Sequence, residues 1–152
     1  VACQIISCFK DDKNYEMIYV SQIKENKKNL VERNIKYYKL KKFNYINVLK
    51  AIKEYNPDII HAHDIRASIM ASLFHKKAII ISHIHANHEN MRKIGMKTII
   101  FNLISKNIKH IIWVSKSALE NYKFKKNIIN KSSVLYNAIN SEEIIEKIKK
   151  DN

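Results

Sequence analysis

The spacing of apolar residues along the chain changes several times, and each change predicts a different element. After Asn44, apolar residues recur three or four positions apart, which predicts an amphipathic helix that stops at Asn56 and Pro57. A short, mostly apolar run over residues 58–62 follows, and such a run is typical of a buried parallel strand. Asp64 then precedes a second helical pattern and is expected to be its N-cap.

The same alternation extends over the rest of the chain. The patterns predict strands at residues 15–21, 35–40, 58–62, 78–84, 108–114 and 133–136, and helices at residues 2–10, 44–55, 64–74 and 90–106, around residue 117, and from residue 141 onward. Strands separated by helices imply right-handed crossovers. We therefore predict an α/β fold: a Rossmann-like, doubly wound, mainly parallel sheet with helices on both faces. Residues 1–140 are expected to form this domain, and residues 141–152 a terminal helix or the start of an inter-domain linker.

Glycine and serine positions refine this picture. The chain has one Gly and one Pro, which argues against an all-β fold because its turns would need more of both. The single glycine, Gly95, is expected inside the helix at 90–106. Either Ser115 or Ser117 is expected to cap the short helix that follows the strand at 108–114.

Composition excludes some classes of protein and leaves others open. The 152 residues are enough for one domain with its own core, and no apolar run approaches the roughly 20 residues of a membrane-spanning helix. The net charge is +14, but only three of the 28 basic residues are Arg. Such lysine excess is consistent with coding bias, or with an anionic membrane surface or phosphate-bearing ligand. Dispersed lysines with few arginines argue against nucleic acid.

The two cysteines and the N-terminus bear on location. Cys3 and Cys8 have neither the partners of a disulfide framework nor the spacing of a zinc site. The chain also begins without a signal-peptide pattern. A reducing, cytoplasmic setting is expected, with peripheral association at the inner face of the membrane as a further option.

Two predicted strands end in pairs of histidines. His61 and His63 are two positions apart and share one face of their strand, and His83 and His85 do the same. In parallel strands both pairs lie at the carboxyl edge, where open α/β sheets bind ligands. Three interpretations follow: a metal site, a cleft for an anion or a sugar phosphate, or a structural role in which His61 and His83 bond to nearby backbone.

A metal site is less well supported than a cleft for an anion or a sugar phosphate. A metal-dependent hydrolase would need further His or Asp ligands from the later strands, whose ends offer Ser115 and Asn137 instead. We therefore predict no metal. His61 and His83 are expected to be structural, and His63 and His85, the outer members of the pairs, functional.

Four segments in order carry a family resemblance. They are PDIIHAHD (57–64), IISHIHAN (80–87), HIIWVSKS (110–117) and SVLYNAIN (133–140). Together they resemble the N-terminal domain of GT-B glycosyltransferases of the large retaining group called family 4. The chain departs from the family pattern at His83, where Thr is usual, and at Ala138 and Asn140, which replace the Gly and the acid of the last motif.

The resemblance implies a two-domain enzyme that moves a sugar from a nucleotide-sugar donor to a glycan acceptor, often lipid-linked, in cell-surface polysaccharide synthesis. It implies no cofactor, with the donor bound mainly by a C-terminal domain outside this chain, so that the chain is inactive by itself. His85 matches the family's loop histidine near the donor sugar and is the catalytic candidate. The candidates for binding the acceptor or lining the cleft are His63, Asp64, Arg66, Asn87, His88, Ser115 and Asn137.

The alternatives are a non-catalytic Rossmann-like binding domain and a metal-dependent hydrolase. The resemblance also implies a first strand, between those at 15–21 and 58–62, that has no counterpart here. Those two strands are therefore expected to pair directly, to leave a gap, or to recruit a strand from another copy. An exposed sheet edge predicts self-association.

Overall fold

The structure, a computed structural model, describes residues 1–22, 27–85 and 91–137. Helices and strands alternate along this part of the chain, as the sequence predicts. The elements are α1 (Ala2–Cys8), β1 (Tyr19–Ser21), α2 (Lys27–Glu32), β2 (Tyr37–Lys39), α3 (Tyr45–Tyr55), β3 (Ile59–His63), α4 (Asp64–Ser72), β4 (Ile79–Ile84), α5 (Met96–Ser105), β5 (His110–Trp113), α6 (Lys116–Glu120) and β6 (Ser132–Val134). The predicted α/β, Rossmann-like fold is confirmed.

The described strands form two parallel sheets. The larger has the order β3-β4-β5-β6, and the smaller consists of β1 and β2. All the pairings are parallel. Within the described residues β3 pairs only with β4, and β1 only with β2, so direct pairing of β1 with β3 is excluded and a gap separates them in the single chain. Recruitment of a strand from another copy stays a prediction. The predicted parallel sheet is therefore divided in two within the described part of the chain.

The core lies on one face of the larger sheet. Every second residue of β4 and β5 points to this face, including Ile80, Ile84 and Trp113, which are at most 1% exposed. Phe101 of α5 packs edge-on against the Trp113 ring, with centroids 6.5 Å apart. Burial of each such side chain contributes about 2–3 kcal/mol to folding, so this face is the main source of stability.

The opposite face of the same sheet is only partly covered. Ile59 of β3 and Ile79 of β4, which lie side by side in the register, are 48% and 50% exposed. His61, His63 and His83 follow on the same face, nearer to the carboxyl ends of the strands. The candidate site therefore lies on the face that does not hold the main core.

The sequence determines both ends of α3. The Asn44 side chain accepts a hydrogen bond from the Asn47 backbone N–H, and this N-cap satisfies one free donor of the first turn. Asn56 adopts the left-handed conformation with φ 40°, and Pro57, which disfavours helix in the preceding residue, follows directly. The chain therefore leaves α3 at the predicted residue and enters β3.

Several predicted boundaries were wrong. Gly95 is not inside a helix: it is the N-cap of α5, with extended φ of −141°, so the helix expected at 90–106 begins only at Met96. The strand expected at 15–21 is limited to Tyr19–Ser21. Of the two serines proposed as caps, Ser115 is the N-cap of α6, and its Oγ accepts from the Ala118 N–H at 3.1 Å. The predicted terminal helix and linker at 141–152 lie outside the described residues, and so do Ala138 and Asn140.

The free edge of β3 gives the predicted self-association a test. A second copy can pair with this edge, and a charged residue on an edge strand blocks such pairing. We expect the chain to associate as its concentration rises, and Ile59→Lys, at a residue 48% exposed on β3, to shift it towards monomer. The measurement is sedimentation velocity over a concentration series. Ile46→Lys, at a residue 64% exposed on α3, is the control and should associate as the wild type does. A wild-type chain that stays monomeric throughout would contradict the prediction.

Candidate active site at the carboxyl edge of the sheet

Strands β3 and β4 bring four imidazole rings together, here called the histidine cluster: His61, His63, His83 and His85. The parallel register places His63 directly beside His83. Ring centroids are 4.2 Å apart for His83 and His85, 4.6 Å for His61 and His63, and 4.9 Å for His63 and His85. Both pairs therefore share one face and one edge of the sheet, as their two-residue spacing indicates.

Two hydrogen bonds join the ends of β3 and β4. His63 Nδ1 lies 2.6 Å from His85 Nε2, so one ring donates to the other. The His85 backbone N–H donates to Asp64 Oδ1 at 3.1 Å. His85, the catalytic candidate, is thus held by both its ring and its backbone to the two residues that end β3 and begin α4.

Asp64 has a different role from the one predicted. The N-cap of α4 is His63, and Asp64 is the first helical residue. Its φ is 69°, in the left-handed region that costs a non-glycine residue of order 1–3 kcal/mol. Its Oδ1 accepts the hydrogen bond from the His85 backbone N–H at the end of β4, which helps to hold Asp64 in this strained conformation. Strained backbone of this kind is often found at functional sites.

Among the described residues, the buried ring nitrogens of His61 and His83 do not make the backbone hydrogen bonds expected of structural histidines. His83 is 1% exposed, and neither of its ring nitrogens has a hydrogen-bond partner among the described residues. His61 Nε2 is buried and equally without a partner in that part of the chain. A buried polar atom left unpaired costs about 1–3 kcal/mol, so these rings stabilise the fold less than the sequence suggested.

The other predicted residues are distributed along the same edge. Ser115 follows β5 and Asn137, which is exposed, follows β6. Since neighbouring strands are about 4.8 Å apart, Val134 at the end of β6 lies roughly 10 Å across the sheet from Ile84 at the end of β4, and Asn137 follows Val134 three residues later. Arg66 is exposed on α4, and its guanidinium lies over the Phe43 ring at 5.1 Å. Asn87 and His88 lie outside the described residues.

The comparisons with known proteins identify the family. The model of Glycosyltransferase Family 4 matches residues 6–143, most of the chain. The chain belongs to Glycosyltransferase Family 4. A comparison with curated proteins finds no match.

Solved structures of a GT-B glycosyltransferase share the fold of this family 4 chain. Crystal structures of Anabaena Alr3699/HepE match it with UDP-glucose (TM-score 0.74, 13% identity), with UDP (0.72, 14%) and with UDP and glucose (0.75, 13%). Each match covers 91% of this chain, but only 39% or 40% of HepE. The chain therefore spans about two fifths of the length of HepE.

The environment of the cluster keeps its rings neutral. Burial and the nearby histidines lower the pKa of His63 to about 3 and that of His83 to about 4. Burial also lowers the pKa of His61, with a further contribution from His85. For His85 burial lowers the pKa, and the Asp64 carboxylate partly opposes this effect. At neutral pH the rings of this family 4 domain are therefore hydrogen-bonding groups or ligands, and not cations.

Three members of the cluster could hold a metal ion. One ligand atom from each of His61, His63 and His83 lies within 4.8 Å of the others. Two of these residues, His61 and His83, are the ones that the sequence predicts to be structural. The signal that could have identified them was present, because two adjacent parallel strands that end in His-x-His bring all four rings to one face.

The lowered pKa values predict a pH dependence of stability. Unfolded histidine titrates near 6.5, and His63 and His83 titrate near 3 and 4 in the folded chain. Between these values the unfolded chain binds more protons, so stability is full above about pH 6.5 and is lost as the pH falls through about 4 for His83 and about 3 for His63. We expect His63→Gln to reduce the slope of the unfolding free energy against pH by at most about 1.4 kcal/mol per pH unit. The measurement is urea unfolding at a series of pH values.

The matched control is His75→Gln, at an exposed residue outside the cluster. It should leave the slope unchanged. A slope that responds equally to both substitutions would show that the cluster is not its source.

Proposed function

We propose that this chain is the acceptor-side domain of a GT-B enzyme that transfers a sugar from a nucleotide-sugar donor to a glycan acceptor in cell-surface polysaccharide synthesis. Family 4 membership over residues 6–143 supports sugar transfer over the hydrolase alternative. The fold shared with HepE, crystallised with UDP-glucose, supports a nucleotide-sugar donor. The observation that carries the proposal is the neutral His85 ring, held at the carboxyl edge of a parallel sheet.

His85 is suited to hold a sugar hydroxyl. Its Nε2 is engaged with His63 Nδ1 at 2.6 Å, so its Nδ1 is the ring atom left to face a ligand. If His63 donates in that bond, the neutral His85 ring carries its proton on Nδ1 and donates from there. A donor fixed at two points before the substrate arrives needs little reorganisation, and catalysis depends on that preorganisation.

The acceptor would lie along the same edge. Asp64 has a second carboxylate oxygen besides the one that accepts from His85, and carboxylates are strong acceptors for sugar hydroxyls. Ser115 and Asn137, at the next two strand ends, would extend the binding surface, and His63, Arg66, Asn87 and His88 complete the proposed set. As proposed, the transfer uses no metal and no cofactor, and the second GT-B domain supplies most of the donor contacts.

The catalytic assignment is tested by His85→Ala in the complete two-domain enzyme. Loss of a positioned hydrogen-bond donor should lower sugar transfer about tenfold or more and leave folding intact. The measurement is the transfer rate from the nucleotide-sugar, with circular dichroism to confirm the fold. His75→Ala, which removes an exposed histidine, is the control and should keep full activity. Unchanged activity in His85→Ala would remove His85 from the site.

A membrane-bound acceptor is supported by the outer surface of α5. Thr98, Phe101 and Ser105 are the buried residues of this helix. The apolar residues on its other side are exposed: Met96 is 79% exposed, Ile99 41% and Leu103 60%, with Ile94 just before the helix at 65%. Their spacing makes one stripe along the helix. Arg92, Lys93 and Lys97 flank the start of the stripe.

An apolar stripe beside basic residues is typical of a helix that lies in a membrane interface. The net charge of +14 would add attraction to anionic lipid at the cytoplasmic face. None of the helices in the described part of the chain is long and apolar enough to cross a membrane. We therefore propose peripheral association through the α5 stripe, which would bring the enzyme to a lipid-linked acceptor.

Co-sedimentation with vesicles tests this association. We expect binding to vesicles that contain phosphatidylglycerol, little binding to phosphatidylcholine alone, and weaker binding at high salt. Leu103→Glu should reduce binding several-fold, because it places a charge in the apolar stripe. The matched control is Leu73→Glu. Leu73 is the C-cap of α4, lies outside the stripe and is 57% exposed, so this variant should bind as the wild type does. Equal loss in both variants would contradict a role for the stripe.

A further inference from the structure

Three imidazoles of the histidine cluster are placed as ligands of one metal ion. His61 and His63 lie two residues apart on β3, and His83 lies beside His63 on β4, all on one face. One ligand atom of each is within 4.8 Å of the others. Nitrogens of a tetrahedral site with bonds of about 2.0–2.1 Å are roughly 3.4 Å apart. The His61 and His83 rings are stacked with an interplanar angle of 6°, so metal binding requires the rings to rotate until their in-plane lone pairs converge on the ion.

Three ring nitrogens of this triad, on His61 and His83, are buried and have no hydrogen-bond partner among the described residues. His83 is 1% exposed, and both its nitrogens lack a hydrogen-bond partner among the described residues. His61 Nε2 is in the same situation. Buried polar atoms in native proteins nearly always have a partner, and an ion is one of the explanations when none is seen. A metal bound by the triad would satisfy one nitrogen of each residue.

The residues around the triad suit a metal ion. Ligating histidines usually donate their second ring N–H to a neighbouring group, which fixes the tautomer. His63 Nδ1 has such a neighbour in His85 Nε2, at 2.6 Å, which leaves His63 Nε2 for the ion. The Asp64 carboxylate, bonded to the His85 backbone N–H, supplies a negative charge beside the cluster.

We propose that His61, His63 and His83 bind one divalent ion of the late first transition series, represented by Zn²⁺. Imidazole donors favour these ions, whereas Mg²⁺ and Ca²⁺ prefer oxygen. Three histidines leave the fourth tetrahedral position for water or another ligand. The inference goes beyond the proposed sugar transfer, which uses no metal, and it departs from the prediction of no metal that was made from sequence. With Nδ1 bonded to His85 and Nε2 on the ion, His63 would have no ring nitrogen for the acceptor, so in the metal-bound chain it would leave the proposed acceptor-binding set.

The test is metal binding by the chain, produced without a histidine tag and stripped with a chelator. Zn²⁺ is titrated by calorimetry and Co²⁺ by visible absorption at neutral pH. We expect one ion per chain, and a Co²⁺ spectrum of tetrahedral nitrogen coordination without thiolate charge transfer, which would exclude Cys3 and Cys8 as ligands. His61→Ala and His63→Ala should each lower Zn²⁺ affinity about tenfold or more.

His75→Ala and His110→Ala remove histidines outside the cluster and should leave affinity unchanged. His83 is almost fully buried, so His83→Ala is interpreted only if circular dichroism shows a native fold. If that variant does not fold, the His61→Ala and His63→Ala results decide the outcome. No saturable binding of Zn²⁺ or Co²⁺ overturns the proposal. So does binding that survives both His61→Ala and His63→Ala, or that falls equally in the control variants.

Discussion

The structure of the candidate site depends on the parallel pairing of β3 with β4. In this register Ala62 pairs with Ser82 and His63 with His83. Core residues therefore lie beside core residues, and histidines beside histidines, on the two strands. Because side chains alternate with a period of two, a slip of one residue would turn one strand's histidines into the core. The buried bond between Ser68 Oγ of α4 and Ser82 Oγ, at 2.6 Å, ties the helix to β4 and helps to hold the register.

The site is locally costly, and the other face of the sheet offsets that cost. Buried nitrogens of His61 and His83 that have no partner among the described residues each cost about 1–3 kcal/mol, and the left-handed Asp64 costs a similar amount. Ile80, Ile84 and Trp113, on the core face, contribute favourable free energy of the same order per side chain. Such local departures from good packing and pairing are expected where a protein binds ligands.

The sequence predicted the features that depend on near neighbours. Asn44, Asn56 and Pro57 mark the ends of α3 because caps and proline act within a turn of the chain. The apolar run over 78–84 predicted β4 almost residue for residue. The helix expected at 90–106 failed because apolar spacing continues through Met91 and Ile94, and periodicity does not show where the backbone becomes helical.

Features that depend on distant partners were not predictable in this way. Asp64 was expected to cap its own helix, but its carboxylate accepts from a backbone amide 21 residues later. A local pattern does not show which of the three expected strand arrangements occurs, nor that His83 has no hydrogen-bond partner among the described residues. Sequence order and parallel topology were nevertheless enough to predict that both histidine pairs meet at one edge.

The position of the chemistry follows from a gradient of burial along one face of β4. Ile79, at the start of the strand, is 50% exposed, Ile81 is partly buried, and His83, near the carboxyl end, is 1% exposed. Desolvation lowers the pKa of an imidazole only where water is excluded, so the same residue at the start of the strand would remain close to its ordinary value. The carboxyl end alone therefore offers neutral, closely packed rings. Both the proposed hydrogen bond to a sugar and the proposed metal site require imidazoles in that state.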